Sequence, residues 1–253
     1  MKFKYHIIIL AVFVVSCASK KELLYIQDAA SVASNQVVYS SPKIQPNDIL
    51  KITVESTVPE AAVPYNRVSA LNVQAQNIQM LQLDGYLVSP KHTIVFPVLG
   101  EIATETKTTE QLEDTIKQKL ESGGHLVNPT VTVRLVNAKV TILGEVNQPG
   151  TYNFTEQNIS FLQALGYAGD LTINGKRNDI LLTREVDGIR KVTHVDLTSA
   201  SFMNSEFYFI KPNDVIIVNP NNPRVKNAGY IGNVGTVLTI ASLALSVTIL
   251  LTR

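Results

Sequence analysis

The two ends of the chain constrain its fold most, because both are apolar enough to enter a membrane. The chain begins MKFKYHIIILAVFVVSC and ends NVGTVLTIASLALSVTILLTR, with no charged residue from Asn227 to Thr252. As a helix, Tyr230–Leu251 would be ~33 Å long, which matches a hydrocarbon core of about 30 Å. The sequence therefore predicts a C-terminal transmembrane helix over residues 228–251, with Tyr230 at an interface. The alternative is a buried core helix.

The N-terminus indicates export. Lys2 and Lys4 precede an apolar stretch over residues 7–15 that is too short for a stop-transfer helix. Val14-Val15-Ser16-Cys17 then resembles the bacterial lipobox, which predicts a signal peptide over residues 1–16 and a palmitate-bearing lipoprotein anchored at Cys17. By resemblance to enterobacterial lipoproteins, the absence of Asp directly after the cysteine favours the outer membrane. The alternative is an ordinary signal peptide with a chance cysteine.

Four small hydroxyl residues recur along the predicted tail helix at spacings of three and four, and so share one face: Thr236, Thr239, Ser242 and Ser246. Two interpretations of this stripe stay open. The stripe either lines a pore or forms a helix–helix contact of small residues.

Composition narrows the class of protein. The 253 residues carry 22 Lys+Arg against 21 Asp+Glu, a net charge of +1. A nucleic-acid partner is disfavoured, because it would show as a basic excess or a clustered basic run. With Cys17 alone, the chain cannot form an intramolecular disulfide.

The pattern over residues 44–136 predicts an α+β domain that follows a tether over residues 17–43. Residues 49–54 alternate as a half-buried strand, whereas residues 58–79 lack an apolar repeat and read as a long loop. The stretch LDGYLVSPKHTIVFPVLGEI predicts strands broken at Ser89-Pro90. TTEQLEDTIKQKLESGG predicts a helix with a capping box of Thr108 and Gln111, an i,i+4 pair of Glu113 with Lys117, and an end at Gly123-Gly124.

A second α+β unit over residues 137–220 predicts a small β-grasp-like sheet over one helix. The helix ISFLQALGYAG is expected to begin at an Asn158 N-cap, and Asp187-Gly188 predicts a hairpin. FYFIKPNDVIIVNP predicts two short strands about a turn. Its P-N-D turn before an apolar strand also occurs in IQPNDILKITV, so the same short turn motif occurs twice in the chain.

These pieces resemble the bacterial outer-membrane polysaccharide export proteins (the Wza type) from about Ile44 to Pro220. PNDILKITV, FPVLGEI, the Thr-capped helix and NPTVTVRL stand in family order. GEVNQPGTY, ALGYAGDL and KPNDVIIVNP then resemble the SLBB domain, a soluble-ligand-binding β-grasp module. Asn47 and Asn213 replace the glycine usual in the P-G-D turns, and asparagine tolerates the left-handed conformation. His92 falls where many members have glycine.

The resemblance implies a polysaccharide export domain, one SLBB domain and a C-terminal transmembrane helix. It also implies a homo-oligomeric ring through which capsular or exopolysaccharide crosses the outer membrane, with the lipid-anchored soluble domains in the periplasm. An inner-membrane copolymerase and its tyrosine kinase are the implied partners, together with polysaccharide and outer-membrane lipid. No cofactor or nucleic acid is implied.

No pattern of catalytic residues indicates an enzyme. His6, His92, His125 and His194 are scattered without metal-ligand spacing. His6 lies in the predicted signal peptide, and the other three read as surface or turn residues. Glu113 and Asp114 read as an exposed helix face. Four aromatics could stack on sugars, although core packing is the simpler interpretation: Tyr152, Tyr167, Phe207 and Tyr208. The alternatives to the channel are a membrane-anchored SLBB sugar-binding receptor that forms no channel and, last, an envelope hydrolase.

Overall fold

The first domain is built on a three-stranded antiparallel sheet with the order β2-β1-β5. The computed structural model describes residues 23–31, 39, 41–67, 82, 84–186, 188–227 and 234–251. The strands of this domain are β1 (Ile49–Glu55), β2 (Tyr86–Leu87), β3 (Thr93–Phe96), β4 (Gly100–Ala103) and β5 (Thr130–Leu135). Strands β3 and β4 pair as a separate hairpin.

The helix α2 (Thr109–Ser122) covers this sheet and confirms the predicted capping box. The Thr108 side chain accepts a hydrogen bond from the Gln111 backbone N–H, and the Gln111 side chain accepts one from the Thr108 N–H. Leu112, Ile116 and Leu120 are fully buried in the core of the domain, as the apolar repeat predicts. The helix ends at Gly123.

Part of the predicted loop over residues 58–79 is instead folded. The short helix α1 (Pro59–Ala62) is followed by a 3-10 turn over Val63–Tyr65. Asn66 then pairs with Val54 in β1, because its side-chain amide both accepts from the Val54 N–H and donates to the Val54 carbonyl. Proline suits the first turn of a helix, where its missing N–H is not needed.

The second domain holds a five-stranded sheet with the order β10-β9-β12-β6-β7. Its strands are β6 (Lys139–Gly144), β7 (Gly150–Asn153), β8 (Ile159–Ser160), β9 (Gly175–Val186), β10 (Ile189–Val195), β11 (Phe209–Ile210) and β12 (Val215–Pro220). Strand β12 pairs parallel with β6 and antiparallel with β9. The predicted hairpin forms between β9 and β10. Together the two domains confirm the α+β class.

The helix of the second domain, α3 (Phe161–Tyr167), begins at Ser160, so the prediction of an Asn158 N-cap is wrong. Ile159 and Ser160 pair with Ile210 and Phe209 as strands β8 and β11. This pairing keeps the chain extended for two residues beyond Asn158. Ser160 then forms a capping box with Gln163.

The C-terminal segment continues from β12 as α4 (Asn222–Asn227) and α5 (Val234–Leu251). No helix in the described part of the chain combines the length and the apolar character that a membrane crossing requires. The predicted transmembrane helix over residues 228–251 is thus not found among the described residues, in which this segment holds the 18-residue helix α5. Residues 228–233, including Tyr230, lie outside the described residues, as do Cys17 and the predicted signal peptide.

The two domains meet at one end of the parallel pair β6–β12. The Asn213 N–H, just before β12, donates to the carbonyl of Lys139 at the start of β6. At the opposite end of these strands Gly175 faces Pro220, where β9 begins and β12 finishes. We call the residues 170–174 before β9 and the first three residues of β9 together the 170–177 loop. This loop, with Glu145 and Asn221, forms the distal end of the second domain.

Candidate functional site: the domain junction and the distal end

The two P-N-D turns lie on either side of the linker between the domains. Asn47 and Asn213 adopt positive φ angles of 69° and 66°, in the left-handed region that asparagine tolerates. The linker residue Asn137 donates to the Asn47 carbonyl (2.9 Å) and accepts from the Ile49 N–H (2.8 Å). The second turn bonds to the first residue after the linker, since the Asn213 N–H donates to the carbonyl of Lys139 in β6. The two P-N-D turns, one in each domain, are therefore both hydrogen-bonded to residues in or next to the short interdomain linker.

Each turn is closed by its own aspartate. Asp48 accepts a hydrogen bond from the Gln45 backbone N–H at 2.8 Å, and Asp214 accepts one from the Lys211 N–H at 2.9 Å. Both carboxyls are buried, with exposed fractions of 3% and 1%. The motif thus places two buried carboxyl groups near the junction, a feature that the sequence pattern alone does not reveal.

The electrostatic surroundings of the two carboxyls differ. Burial raises the pKa of Asp48 to about 6. Burial also raises the pKa of Asp214, but the Arg184 guanidinium opposes that shift. Arg184 donates to both carboxylate oxygens, through Nε at 3.0 Å and Nη2 at 2.7 Å, and its remaining donors reach the carbonyls of Glu206 and Phe209. Asp214 is therefore held as an ion pair.

A cleft of about 540 Å³ opens at the junction between the domains. Ile44, Leu50 and Phe154 contribute apolar surface, whereas the polar lining includes Lys43, Asp48, Glu113, Arg134, Glu156 and Gln157. A mixed lining of this kind suits a polar ligand with several hydroxyl groups, because both donors and acceptors are present.

Glu113 lies in this cleft and is not the exposed helix residue that the sequence predicts. Its carboxylate accepts a hydrogen bond from the Val133 N–H at 2.7 Å, which covers an open backbone donor on the edge strand β5. Lys117, its predicted i,i+4 partner, instead reaches the Asn128 side chain at 3.5 Å. Asp114 is exposed, as predicted.

The N-terminal strap, residues 23–31, folds back onto the second domain rather than onto the first domain that follows it. The Ile26 and Gln27 N–H groups donate to the carbonyls of Leu197 and Thr198. Asp28 accepts from the Ala200 N–H at 2.6 Å and from the Ser199 hydroxyl at 2.8 Å. These hydrogen bonds hold the pKa of Asp28 below its ordinary value.

Tyr25 fixes the strap to the distal end. Its hydroxyl donates to Asp170 at 2.5 Å, and the Arg177 guanidinium lies 5.1 Å from the centre of its ring. Burial, followed by the Asp170 carboxylate, raises the pKa of Tyr25 well above its usual range. Sequence reasoning missed the strap, because pairing with residues far along the chain leaves no local pattern.

The hydroxyl groups of the predicted stripe bond within their own helix. Thr239 donates to the Gly235 carbonyl, Ser242 to that of Thr239 and Ser246 to that of Ser242, at 2.8–2.9 Å. These donors are engaged by backbone, so the surface that they offer to a neighbour is small and only weakly polar. Thr236 lies at the start of the same helix and is half-buried.

The aromatic candidates lie mainly in packing contacts. Tyr152 and Tyr167 stack with ring centres 6.1 Å apart, and the Tyr152 hydroxyl bonds to the Gln148 carbonyl. Phe207 and Tyr208 pack against the core of the second domain. None of these four rings lines the cleft at the domain junction.

The histidines are separated as expected. His92 has a positive φ of 54°, His125 packs edge-on against Tyr65, and His194 meets Asp179 at 2.5 Å. His6 lies outside the described residues. In the described ranges, no three His, Cys, Asp or Glu side chains are grouped in a way that could hold a metal ion.

Two family profiles match the chain in succession. One is described as a polysaccharide biosynthesis/export protein and matches residues 36–136, and the other is an SLBB domain that matches residues 138–218. Together these two matches and the relatives below support a Wza-type polysaccharide export family for this chain. The description of the first matched profile agrees with the prediction of a transport component rather than an enzyme.

Two similar relatives are each named "EPS I polysaccharide export outer membrane protein EpsA". The protein from Ralstonia nicotianae is 32% identical over 40% of this chain and 27% of its own length. The protein from Ralstonia solanacearum is 29% identical over 56% of this chain and 38% of its own length. The aligned part of the chain thus spans well under half the length of either relative. Both names agree with the predicted outer-membrane location.

Proposed function

We propose that this protein is an outer-membrane lipoprotein subunit of a ring-shaped channel that exports capsular or exopolysaccharide. The observation that carries the proposal is the succession of an export domain and an SLBB domain over residues 36–218. The two relatives named as polysaccharide export outer membrane proteins support the same assignment. In this ring, the export domain and the SLBB domain of each subunit both contribute to the wall, and the domain junction connects them.

Both chain ends enter the outer membrane in this proposal. A lipid on Cys17 holds the protein at the inner leaflet, and the soluble domains lie in the periplasm. The tail crosses the same bilayer, supported by the uncharged run from Asn227 to Thr252. The apolar side chains of α5 support this as well, since Leu243, Leu250 and others are exposed and require lipid or protein to cover them.

A ring follows because a single helix encloses no channel. Several copies of α5 form the wall, and the weakly polar stripe of Thr236, Thr239, Ser242 and Ser246 suits contacts between neighbouring helices. Transport through the ring is passive. The energy comes from polymer synthesis and from an inner-membrane copolymerase with its tyrosine kinase.

The proposal is tested by the mass and shape of the full-length protein extracted in detergent. We expect a closed ring, and a chain truncated after Asn227 should lose the ring while its two domains stay folded. Cys17→Ala should abolish incorporation of labelled palmitate. A monomer in several mild detergents, or unchanged surface polysaccharide after clean deletion of the gene in a strain that makes it, would overturn the channel.

The cleft at the domain junction favours one alternative function, an SLBB receptor that binds sugar without forming a channel. Its polar lining, with Glu156 and Gln157 beside Arg134, could bond to sugar hydroxyls. A detergent-extracted monomer that binds oligosaccharide, and loses binding on Gln157→Ala, would establish the receptor in place of the channel.

A further inference from the structure

Both routes from the folded domains towards the bilayer leave from the distal end of the second domain. On the N-terminal side, Tyr25 is bonded to Asp170 in the 170–177 loop. On the C-terminal side, Asn221 donates to the Ile173 carbonyl of the same loop, and its N–H donates to the carbonyl of Asn174. The 170–177 loop therefore lies between the strap and the start of the tail.

The lengths of the connecting segments limit how far this loop can lie from lipid. The stretch from Cys17 to Leu23 spans at most ~22 Å when fully extended, and that from Asn227 to Val234 at most ~25 Å. A lipid at Cys17 and a membrane-embedded α5 would therefore hold the distal end near the bilayer from two sides.

Exposed apolar side chains are present at this end. Ile173 in the loop is 70% exposed, Leu24 in the strap 46% and Val225 in α4 56%. These residues belong to three separate segments that hydrogen bonds bring to one end of the domain. A surface that carries such residues beside two membrane connections suits the bilayer interface.

Two of the described cations at this end are paired within the protein. Lys176 pairs with Asp179 at 2.7 Å, and Arg224 pairs with Glu145 at 3.2 Å. These two cations are therefore less available to anionic lipid headgroups, and the exposed side chains of Ile173, Leu24 and Val225 give the contact its apolar character.

We propose that the 170–177 loop is a third membrane contact, in which Ile173 inserts into the inner leaflet of the outer membrane beside Leu24 and Val225. This inference rests on the proposed lipid anchor at Cys17 and on the proposed membrane crossing by α5. Insertion fixes the tilt of the second domain on the bilayer, which two points of attachment alone do not determine.

The test uses the full-length protein extracted from cell membranes and placed in vesicles of phosphatidylethanolamine and phosphatidylglycerol. Ile173→Cys introduces one new thiol for an environment-sensitive fluorophore, and the matched control is Val95→Cys, at a site in β3 of the first domain that is 67% exposed. We expect the label at position 173 to emit at shorter wavelength and to lose intensity with brominated lipid, whereas the label at position 95 shows neither change.

The unsubstituted protein separates the two ways in which the proposal can fail. A lipid-modified Cys17 has no thiol to label. If Cys17 takes up no label and the fluorophore at position 173 is not quenched by brominated lipid, the lipid anchor stands and the membrane contact of the loop is overturned. Equal quenching of the fluorophores at positions 173 and 95 would show that the loop makes no specific contact with the membrane. A labelled Cys17 overturns the lipid anchor and, with it, the inference.

Discussion

At the scale of single residues, the aspartates of the two P-N-D turns at the domain junction have different charged neighbours. Asp48 and Asp214 close equivalent turns and are equally buried, yet only Asp214 is bonded to a guanidinium, that of Arg184. A buried carboxylate is costly without a cation and much less so with one. The two residues should therefore respond differently to pH and to substitution.

Ionisation of the buried Asp48 should lower the free energy of unfolding as the pH rises towards neutral. Its pKa is about 6 in the folded protein against an ordinary 3.8, so the folded state holds a proton that the unfolded state releases. The free energy of unfolding should fall by ~2–3 kcal/mol between about pH 4 and pH 6 and then level off. Asp48→Asn should remove that decline, measured by denaturant unfolding across this range.

The exposed Asp114 supplies the control for this experiment, and Asp114→Asn should follow the unsubstituted protein at every pH. If the curve of Asp48→Asn ran parallel to both, Asp48 would not titrate as its burial implies.

Breaking the buried ion pair should be far more damaging than breaking an exposed one. Arg184→Met leaves the buried Asp214 carboxylate without its cation and should lower the free energy of unfolding by ~3–5 kcal/mol. Arg190→Met removes an ion pair with Glu185 whose side chains are 71% and 56% exposed, and should cost under ~1 kcal/mol. Similar losses in urea unfolding for both variants would contradict this assignment.

At the scale of elements, the parallel pair β6–β12 depends on one glycine. Gly144 ends β6 with a φ of +89°, and a Cβ there would lie 2.1 Å from the Val218 carbonyl oxygen. The backbone of β12 thus occupies the space that any other side chain requires. The predicted strand KVTILGEV contains this glycine, but its neighbour in the sheet lies far along the chain, and so the sequence pattern gives no sign of the close contact.

Gly144→Ala should therefore lower the free energy of unfolding by ~3 kcal/mol, from both the positive φ and the clash. Gly166→Ala is the matched control, because a Cβ at that position in α3 meets no atom within 4 Å. Alanine is the better helix former, so this control should be neutral or raise stability by up to ~1 kcal/mol. Thermal unfolding of both variants distinguishes a local clash from a general intolerance of the second domain.

At the scale of the whole molecule, the sequence predicted features that depend on neighbours in the chain and missed those that depend on distant partners. The Thr108–Gln111 capping box and the β9–β10 hairpin need only a few consecutive residues, and both were predicted. The N-cap of α3 was misplaced because β8 pairs with β11. The role of Glu113 and the docking of the strap were missed for the same physical reason, since distant backbone supplies their partners.

Docking of the strap should depend on Asp28. Asp28→Ala removes the acceptor for the Ala200 N–H and the Ser199 hydroxyl, so the strap should open more often. Hydrogen exchange of the Ile26 and Gln27 amides should become faster, whereas exchange in the β1–β5 sheet should not change. In the control Asp114→Ala, both regions should exchange as in the unsubstituted protein; faster exchange there would show that Asp28 has no special role.

The strap also sets an order of events during biosynthesis. It is the first described segment to be made. However, Tyr25 bonds to Asp170, which lies 145 positions later in the chain, and Asp28 bonds to Ser199, which lies 171 positions later. The first domain can assemble while those partners are still missing, so the strap cannot dock until the last third of the chain has been made. Docking of the strap therefore requires a folded second domain, and a molecule whose second domain fails to fold keeps an undocked strap.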